Sequence, residues 1–186
     1  GILGIAFVAH LRKLGYIGEI FLVCYENDSN IIPILEKNLL LAVEKYNITF
    51  SIKKENYITS QKFASEETSC IYDIVIGNPP YQEMNSSNKM SRSVYPDFVR
   101  ESKNIGKKVS LIMPARWTSG ESGPYKETKG FINEMIDGNH IKSFVLYPNS
   151  TDLFNNVDIK GGVCFYVYDN DYSKDEVNYT LVENGI

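Results

Sequence analysis

The sequence predicts an α/β domain of three layers around a mostly parallel sheet that turns antiparallel at one end. Three observations carry that expectation. Apolar runs with a strand's period alternate along the chain with runs of helical period. The last three strand-like runs follow one another with no helix between them. Three of the seven prolines (Pro79, Pro114 and Pro148) stand at or just beyond the ends of apolar strands. Ligands of open α/β sheets bind beyond the carboxyl ends of the strands, so the loops 78–93, 114–124 and 148–161 are expected to share one rim.

Each element follows from local pattern. Leu3, Phe7, Leu11 and Leu14 recur every three or four residues and predict a helix that stops at Gly15. Glu19–Glu26 is a nearly continuous apolar run, as in a strand covered on both faces. The polar break 27–30 opens a helix to about Tyr46, with Pro33 in its first turn where no amide donor is missed. Ile48–Lys54 alternates like a half-exposed edge strand. After a polar linker at 59–69, Tyr72–Ile76 is short, β-branched and reads as buried. A helix over Val94–Ile105 capped by Ser93 and a strand over Val109–Met113 follow. Thr128, Phe131, Ile132, Met135 and Ile136 mark a helix closed by Gly138. Ile141–Tyr147, Val163–Tyr168 and Val177–Val182 complete the strands, and the Ser/Asn-rich stretch 82–93 reads as a mobile loop.

The chain has 186 residues, 43% of them hydrophobic, enough for one ordinary globular domain with a proper core. Its longest unbroken apolar stretch, Ile2–Ala9, is far shorter than the roughly 20 residues a bilayer crossing needs, so no membrane partner is expected. Three scattered cysteines and two histidines give no disulfide framework and no recognisable metal site, and a reducing, cytoplasmic setting is expected. A net charge of −4 argues against a generic polyanion binder. The charge is nevertheless uneven: residues 89–129 carry nine basic and four acidic side chains. Those cations are Lys89, Arg92, Arg100, Lys103, Lys107, Lys108, Arg116, Lys126 and Lys129.

The densest signal is the run Tyr72-Asp73-Ile74-Val75-Ile76-Gly77-Asn78-Pro79-Pro80-Tyr81. Two successive prolines end the strand in a stiff extended turn. They fix a carboxamide just outside the strand and an aromatic ring three residues on. This motif resembles that of S-adenosylmethionine-dependent N6-adenine methyltransferases, in particular the DNA-modifying enzymes of bacterial type II restriction–modification systems, including methylase–endonuclease fusions. Val94-Tyr95-Pro96-Asp97-Phe98, Ile112–Trp117 and Phe154–Val163 are similar to later blocks of the same proteins.

The resemblance implies a Rossmann-like methyltransferase sheet, S-adenosylmethionine as cofactor, and double-stranded DNA with a flipped adenine as partner. Residues 1–186 are then expected to be a partial catalytic domain. The sheet's first strand, the start of the cofactor loop, and any fused or separate specificity and endonuclease domains would lie elsewhere. The chemistry accounts for the residue types. The adenine amine is conjugated into the ring and is a poor nucleophile. The Asn78 side-chain oxygen and the Pro79 carbonyl can each accept one N–H and align the nitrogen with the sulfonium methyl, with Pro80 stiffening the turn. Tyr81 would stack on the flipped base and Phe154 on its opposite face; a plain core aromatic is the competing reading for Phe154.

Cofactor residues follow the same resemblance. Gly1 corresponds to the last glycine of the cofactor loop. Glu26, ending the second strand, is placed to accept the ribose hydroxyls, against an ordinary solvated glutamate. Asn27 is assigned to the adenine ring, with helix initiation as the alternative. Asn56-Tyr57 falls where the family has an aspartate and an aromatic, a turn being the bland reading. Arg116 is assigned to a phosphate and Trp117 to sugar or base, although a tryptophan is more often core. Segment 89–129 would face the DNA backbone. Two other functions stay open: transfer to an RNA base or a protein glutamine amide, and a non-catalytic module that binds nucleic acid or a partner.

Overall fold

The computed structural model describes residues 1–55, 70–84, 91–119, 130–155 and 157–183. The chain divides into two compact units, Gly1–Glu67 and Thr68–Ile186.

The first unit contains α1 (Ile2–Lys13), β1 (Phe21–Tyr25), α2 (Ile32–Tyr46) and β2 (Thr49–Lys53). β1 and β2 pair in parallel, as a helical crossover between them requires. Gly4 and Val8, one turn apart, are the buried positions of α1. A Cβ on Gly4 would meet the Leu22 side chain at 3.0 Å, so the glycine lets the helix approach β1 closely. α1 ends before Gly15, which has φ +86°, as the sequence predicts. α2 starts without a side-chain cap; the Asp28 carbonyl accepts the amides of Ile31 and Ile32 instead. The Arg12 guanidinium then donates to four carbonyls, those of Tyr16, Gly18, Tyr46 and Asn47, at 2.8–3.0 Å. It thereby closes the carboxyl ends of both helices. β1 is less covered than its apolar run predicts: only Cys24 is buried and Phe21 is 63% exposed, because β2 is its one partner among the described residues.

The second unit is built on a five-stranded mixed sheet. Its strands are β3 (Tyr72–Gly77), β6 (Gly106–Pro114), β8 (Val163–Asp169), β7 (Ile141–Tyr147) and β9 (Asn178–Leu181), in that order. β3 runs parallel to β6, whereas β8 is antiparallel to both β6 and β7. The expected antiparallel end is thus present in β8, but β9 lies parallel to β7. The connection from β8 crosses the start of β7, where the Tyr172 carbonyl accepts from the His140 ring at 2.7 Å. β3 is half-exposed rather than buried: it forms a sheet edge among the described residues, and Ile74 is 41% exposed.

A short antiparallel ribbon, β4 (Gln82–Met84) with β5 (Ser91–Ser93), replaces the expected loop. Helix α3 (Tyr95–Ile105) follows it, and α4 (Phe131–Ile136) packs farther along. Ser93 does not cap α3; that position is Val94, and Ser93 is buried at the end of β5. Gly130 and Gly138, at φ +79° and +73°, bracket the single turn and a half of α4. Thr128 and the linker 59–69 lie outside the described residues. One continuous core joins Tyr95, Val99, Met113, Trp117, Phe131, Phe144, Cys164 and Tyr166. Within it Phe131 meets Tyr95 and Trp117 edge-to-face, and Trp117 meets Phe144 the same way. No helix among the described residues is long and apolar enough to cross a membrane.

Candidate active site

Because β3, β6 and β7 run in one direction, their carboxyl ends lie on one rim of the second unit, together with the amino end of β8. Pro114 is the last residue of β6, Pro148 follows β7, and Pro79 stands two residues beyond β3. The rim predicted from three prolines therefore exists.

At its β3 corner the chain leaves the sheet at Asn78, whose side chain is exposed, and turns through Pro79 and Pro80 to a half-buried Tyr81. The Tyr81 hydroxyl donates to Asn78 Oδ1 at 2.9 Å. The Tyr81 carbonyl accepts the Val94 amide at 3.1 Å, which ties the turn to the start of α3. Burial, with the neighbouring Cys164, pushes the Tyr81 hydroxyl up to about 12, so it stays a donor at any working pH.

Beneath this turn lies a buried polar layer that the sequence did not announce. Burial pushes the Cys164 thiol up to about 12, partly opposed by Trp117, and the thiol is therefore inert. Tyr95, fully buried, is also pushed up by desolvation, an effect opposed by the adjacent Arg116 guanidinium. Arg116 is half-buried in the turn 115–119 that follows β6, and its Nε is enclosed. Trp117 is core, 6% exposed.

The β7 corner carries the turn 150–152 and then Phe154, half-buried, whose amide donates to the Ser150 carbonyl at 2.8 Å. Ser150 holds this loop closed: its hydroxyl donates to the Val157 carbonyl and accepts the Ile159 amide. Gly161 and Gly162 return the chain to β8 with φ +84° and +76°. A Cβ on Gly162 would stand 2.2 Å from the Tyr147 carbonyl oxygen, and the Gly162 carbonyl accepts the Ala115 amide at 3.0 Å. The glycine pair thus fastens the β7 loop to the β6 loop. The paired glycines before a strand were the available signal for this.

In the first unit, Gly1 precedes α1; a Cβ there would lie 2.0 Å from Leu35 Cδ1, so a side chain would require that leucine to move. Glu26 follows β1, and its Oε1 accepts the amides of Asn27 and Asp28, both at 2.9 Å. Among the described residues its second oxygen takes no hydrogen bond, so the turn aims a carboxylate with one acceptor in reserve. Asn27 is exposed. Asn56 and Tyr57 lie outside the described residues.

The basic segment does not form one face. Lys89, Lys126 and Lys129 lie outside the described residues. Lys107 and Lys108 sit at the start of β6, about 20 Å along the strand from Pro114. There they pair with Asp73 and Asp169. Arg100 engages Glu134 and Asp97, and Lys103 donates to the Glu134 carbonyl. Lys107 and Lys108 fasten strands at the far end of the sheet, while Arg100 and Lys103 tie α3 to α4. Arg92, paired with Asp97, and Arg116 remain on the rim side. A sequence cluster of charge spreads out because α3 runs away from the rim and β6 starts at the opposite end.

A cavity of about 300 Å3 lined by Trp117, Ile141, Phe144 and Tyr179 includes Trp117 but none of the other assigned residues. Among the described residues no cluster of potential ligands could hold a metal.

Residues 15–154 match the model of the Eco57I restriction-modification methylase family. The chain belongs to that family. The matched span includes the Asn78–Tyr81 turn, Tyr95 and Arg116 of the polar layer, and Phe154. The chain is 29% identical over 151 residues to an "uncharacterized adenine-specific methylase" of Mycoplasma pneumoniae. That match covers 76% of this chain and 34% of the relative, so the chain spans about a third of the relative's length. Its fold is that of the Rossmann-like methyltransferases. A crystal structure of a DNMT2 variant from Spodoptera frugiperda superposes on 98% of the chain and 54% of its own, with a TM-score of 0.51 and 12% identity.

Proposed function

We propose that this chain carries the transfer site of an adenine-specific DNA methyltransferase of a restriction–modification system, moving a methyl group from S-adenosylmethionine to adenine N6. One observation carries the reading: the Asn78-Pro79-Pro80-Tyr81 turn stands open on the sheet's carboxyl rim, in a chain of this methylase family.

S-adenosylmethionine, when bound, supplies an electrophilic methyl on a sulfonium. The residues present fit it: the turn-held carboxylate of Glu26 offers a free acceptor for the ribose hydroxyls, beside the exposed Asn27. Asn78 Oδ1 and the Pro79 carbonyl accept the two N–H groups of the amine, localise its lone pair and aim it. No covalent enzyme intermediate is needed, because positioning and hydrogen bonding supply the acceleration. The Tyr81 ring stacks on the extruded base, and Phe154 on the same rim takes the other face. Arg92 and Arg116, the rim-side cations, are assigned to phosphate, Arg92 exchanging its Asp97 partner for it. Base-sequence readout belongs to other segments of the protein.

Asn78→Ala in the full-length protein is expected to lower methyl transfer to duplex DNA by 10²–10³-fold or more, with unchanged thermal unfolding. Labelled S-adenosylmethionine with duplex DNA, RNA or a glutamine peptide as acceptor makes the test. Transfer to RNA or peptide alone, or full activity of the alanine variant, overturns the reading.

A further inference from the structure

We propose that the Tyr81 hydroxyl is a positioning group, which holds the Asn78 carboxamide so that its oxygen, and not its nitrogen, faces the incoming amine. The inference rests on the adenine reading above and adds a second role for Tyr81, separate from stacking.

A carboxamide has an acceptor end and a donor end, and its terminal torsion is a broad two-fold rotor. Turned the wrong way, Asn78 would present N–H to N–H and repel the amine, and its other N–H would fall on the phenol oxygen, a weaker pairing than the phenol O–H on a carbonyl. The side chain is exposed, so packing does not settle the matter. Among the described residues the one hydrogen bond to this amide is the Tyr81 hydroxyl on Oδ1 at 2.9 Å. The anchor is itself fixed: Pro79 and Pro80 stiffen the intervening backbone, Val94 holds the Tyr81 carbonyl, and the ring is half-buried. Oδ1 has two lone pairs; Tyr81 takes one, and the other is left for the amine. No bond to Tyr81 has to break for the substrate to enter, so the acceptor is set before the base arrives.

Ring and hydroxyl are separable. Tyr81→Phe keeps the stacking face and removes the donor. In the full-length protein this variant is expected to methylate duplex DNA three- to tenfold more slowly under single turnover, the range one such hydrogen bond supports. KM for DNA and the fluorescence rise of 2-aminopurine at the target position should be unchanged, since extrusion uses the ring. In an Asn78→Asp background the Phe penalty should shrink, because a carboxylate presents an acceptor oxygen whichever way it turns. Where Asn78→Asp itself is inactive, the split between rate and extrusion decides alone. An unchanged single-turnover rate, an equal loss in extrusion, or an equal penalty in the Asn78→Asp background overturns the proposal. Wild-type protein inactive on duplex DNA instead overturns the adenine reading beneath it.

Discussion

Among the described residues, those of 68–186 bury fourteen side chains in one continuous core, whereas those of 1–67 bury theirs in two groups of three, Val8, Ala42, Ile48 and Cys24, Leu35, Leu39. Among the described residues the larger unit has a five-stranded sheet and an edge-to-face aromatic chain at its centre; the smaller has one parallel strand pair and leaves Ile17, Leu14 and Phe21 largely exposed. The difference bears on the chemistry. The residues assigned to methyl transfer stand on the unit whose packing can hold a carboxamide in place, while Glu26 sits on the unit with the thinner core.

The largest effect that tests this contrast comes from Phe131, which is 0% exposed between Tyr95 and Trp117. Phe131→Ala is expected to destabilise the larger unit by about 3–5 kcal/mol, read from the fluorescence of the single tryptophan during denaturant unfolding. Leu39, equally buried in the smaller unit, should cost about 2–3 kcal/mol as alanine, near the low end for such changes, because its neighbours are only half-packed and can close over the gap. Circular dichroism at the helical band measures it. Equal losses would mean that the two cores are equally tight.

Smaller still is the contribution of the larger unit's ion pairs. The hydrogen bond from Lys108 holds the Asp169 carboxylate below its ordinary range, and Arg100 does the same for Glu134. A lowered native pKa gives stability that is complete above the unfolded value, near pH 4, and is lost as pH falls through the native one. Lys108→Met should remove about 1 kcal/mol or less at pH 7 and flatten the acid limb of the stability curve, since half of the lysine is solvated. Urea midpoints between pH 2 and 7 check both parts.

Much of this architecture was legible. Glycines at 15 and 138 end helical segments because their positive φ suits them to that place, and the three strand-end prolines located the rim. What an apolar run reveals is a demand for cover, not which neighbour supplies it. Hence β1 and β3 read as sandwiched, yet stand at open sheet edges among the described residues. Ser93 resembles a helix cap, but its place in β5 turns it inward. The ribbon 82–84 with 91–93 has too few apolar residues to show a period. Charge misled for a topological reason: among the described cations, Arg100 and Lys103 lie on α3 and Lys107 and Lys108 at the start of β6, which runs the opposite way, while Arg92 and Arg116 stand on the rim side. At the site, the i to i+3 spacing of Asn78 and Tyr81 across two prolines was visible, but which atom of one meets which atom of the other needed coordinates.

Gly162 has one more implication. With its α-carbon facing the Tyr147 carbonyl and its φ at +76°, none of the other nineteen amino acids fits there without moving backbone. A mutational tolerance map is therefore expected to score this glycine as intolerant as Asn78, although no chemistry is assigned to it. Loss of function by itself cannot sort the rim's chemists from its carpenters; thermal stability measured alongside turnover can.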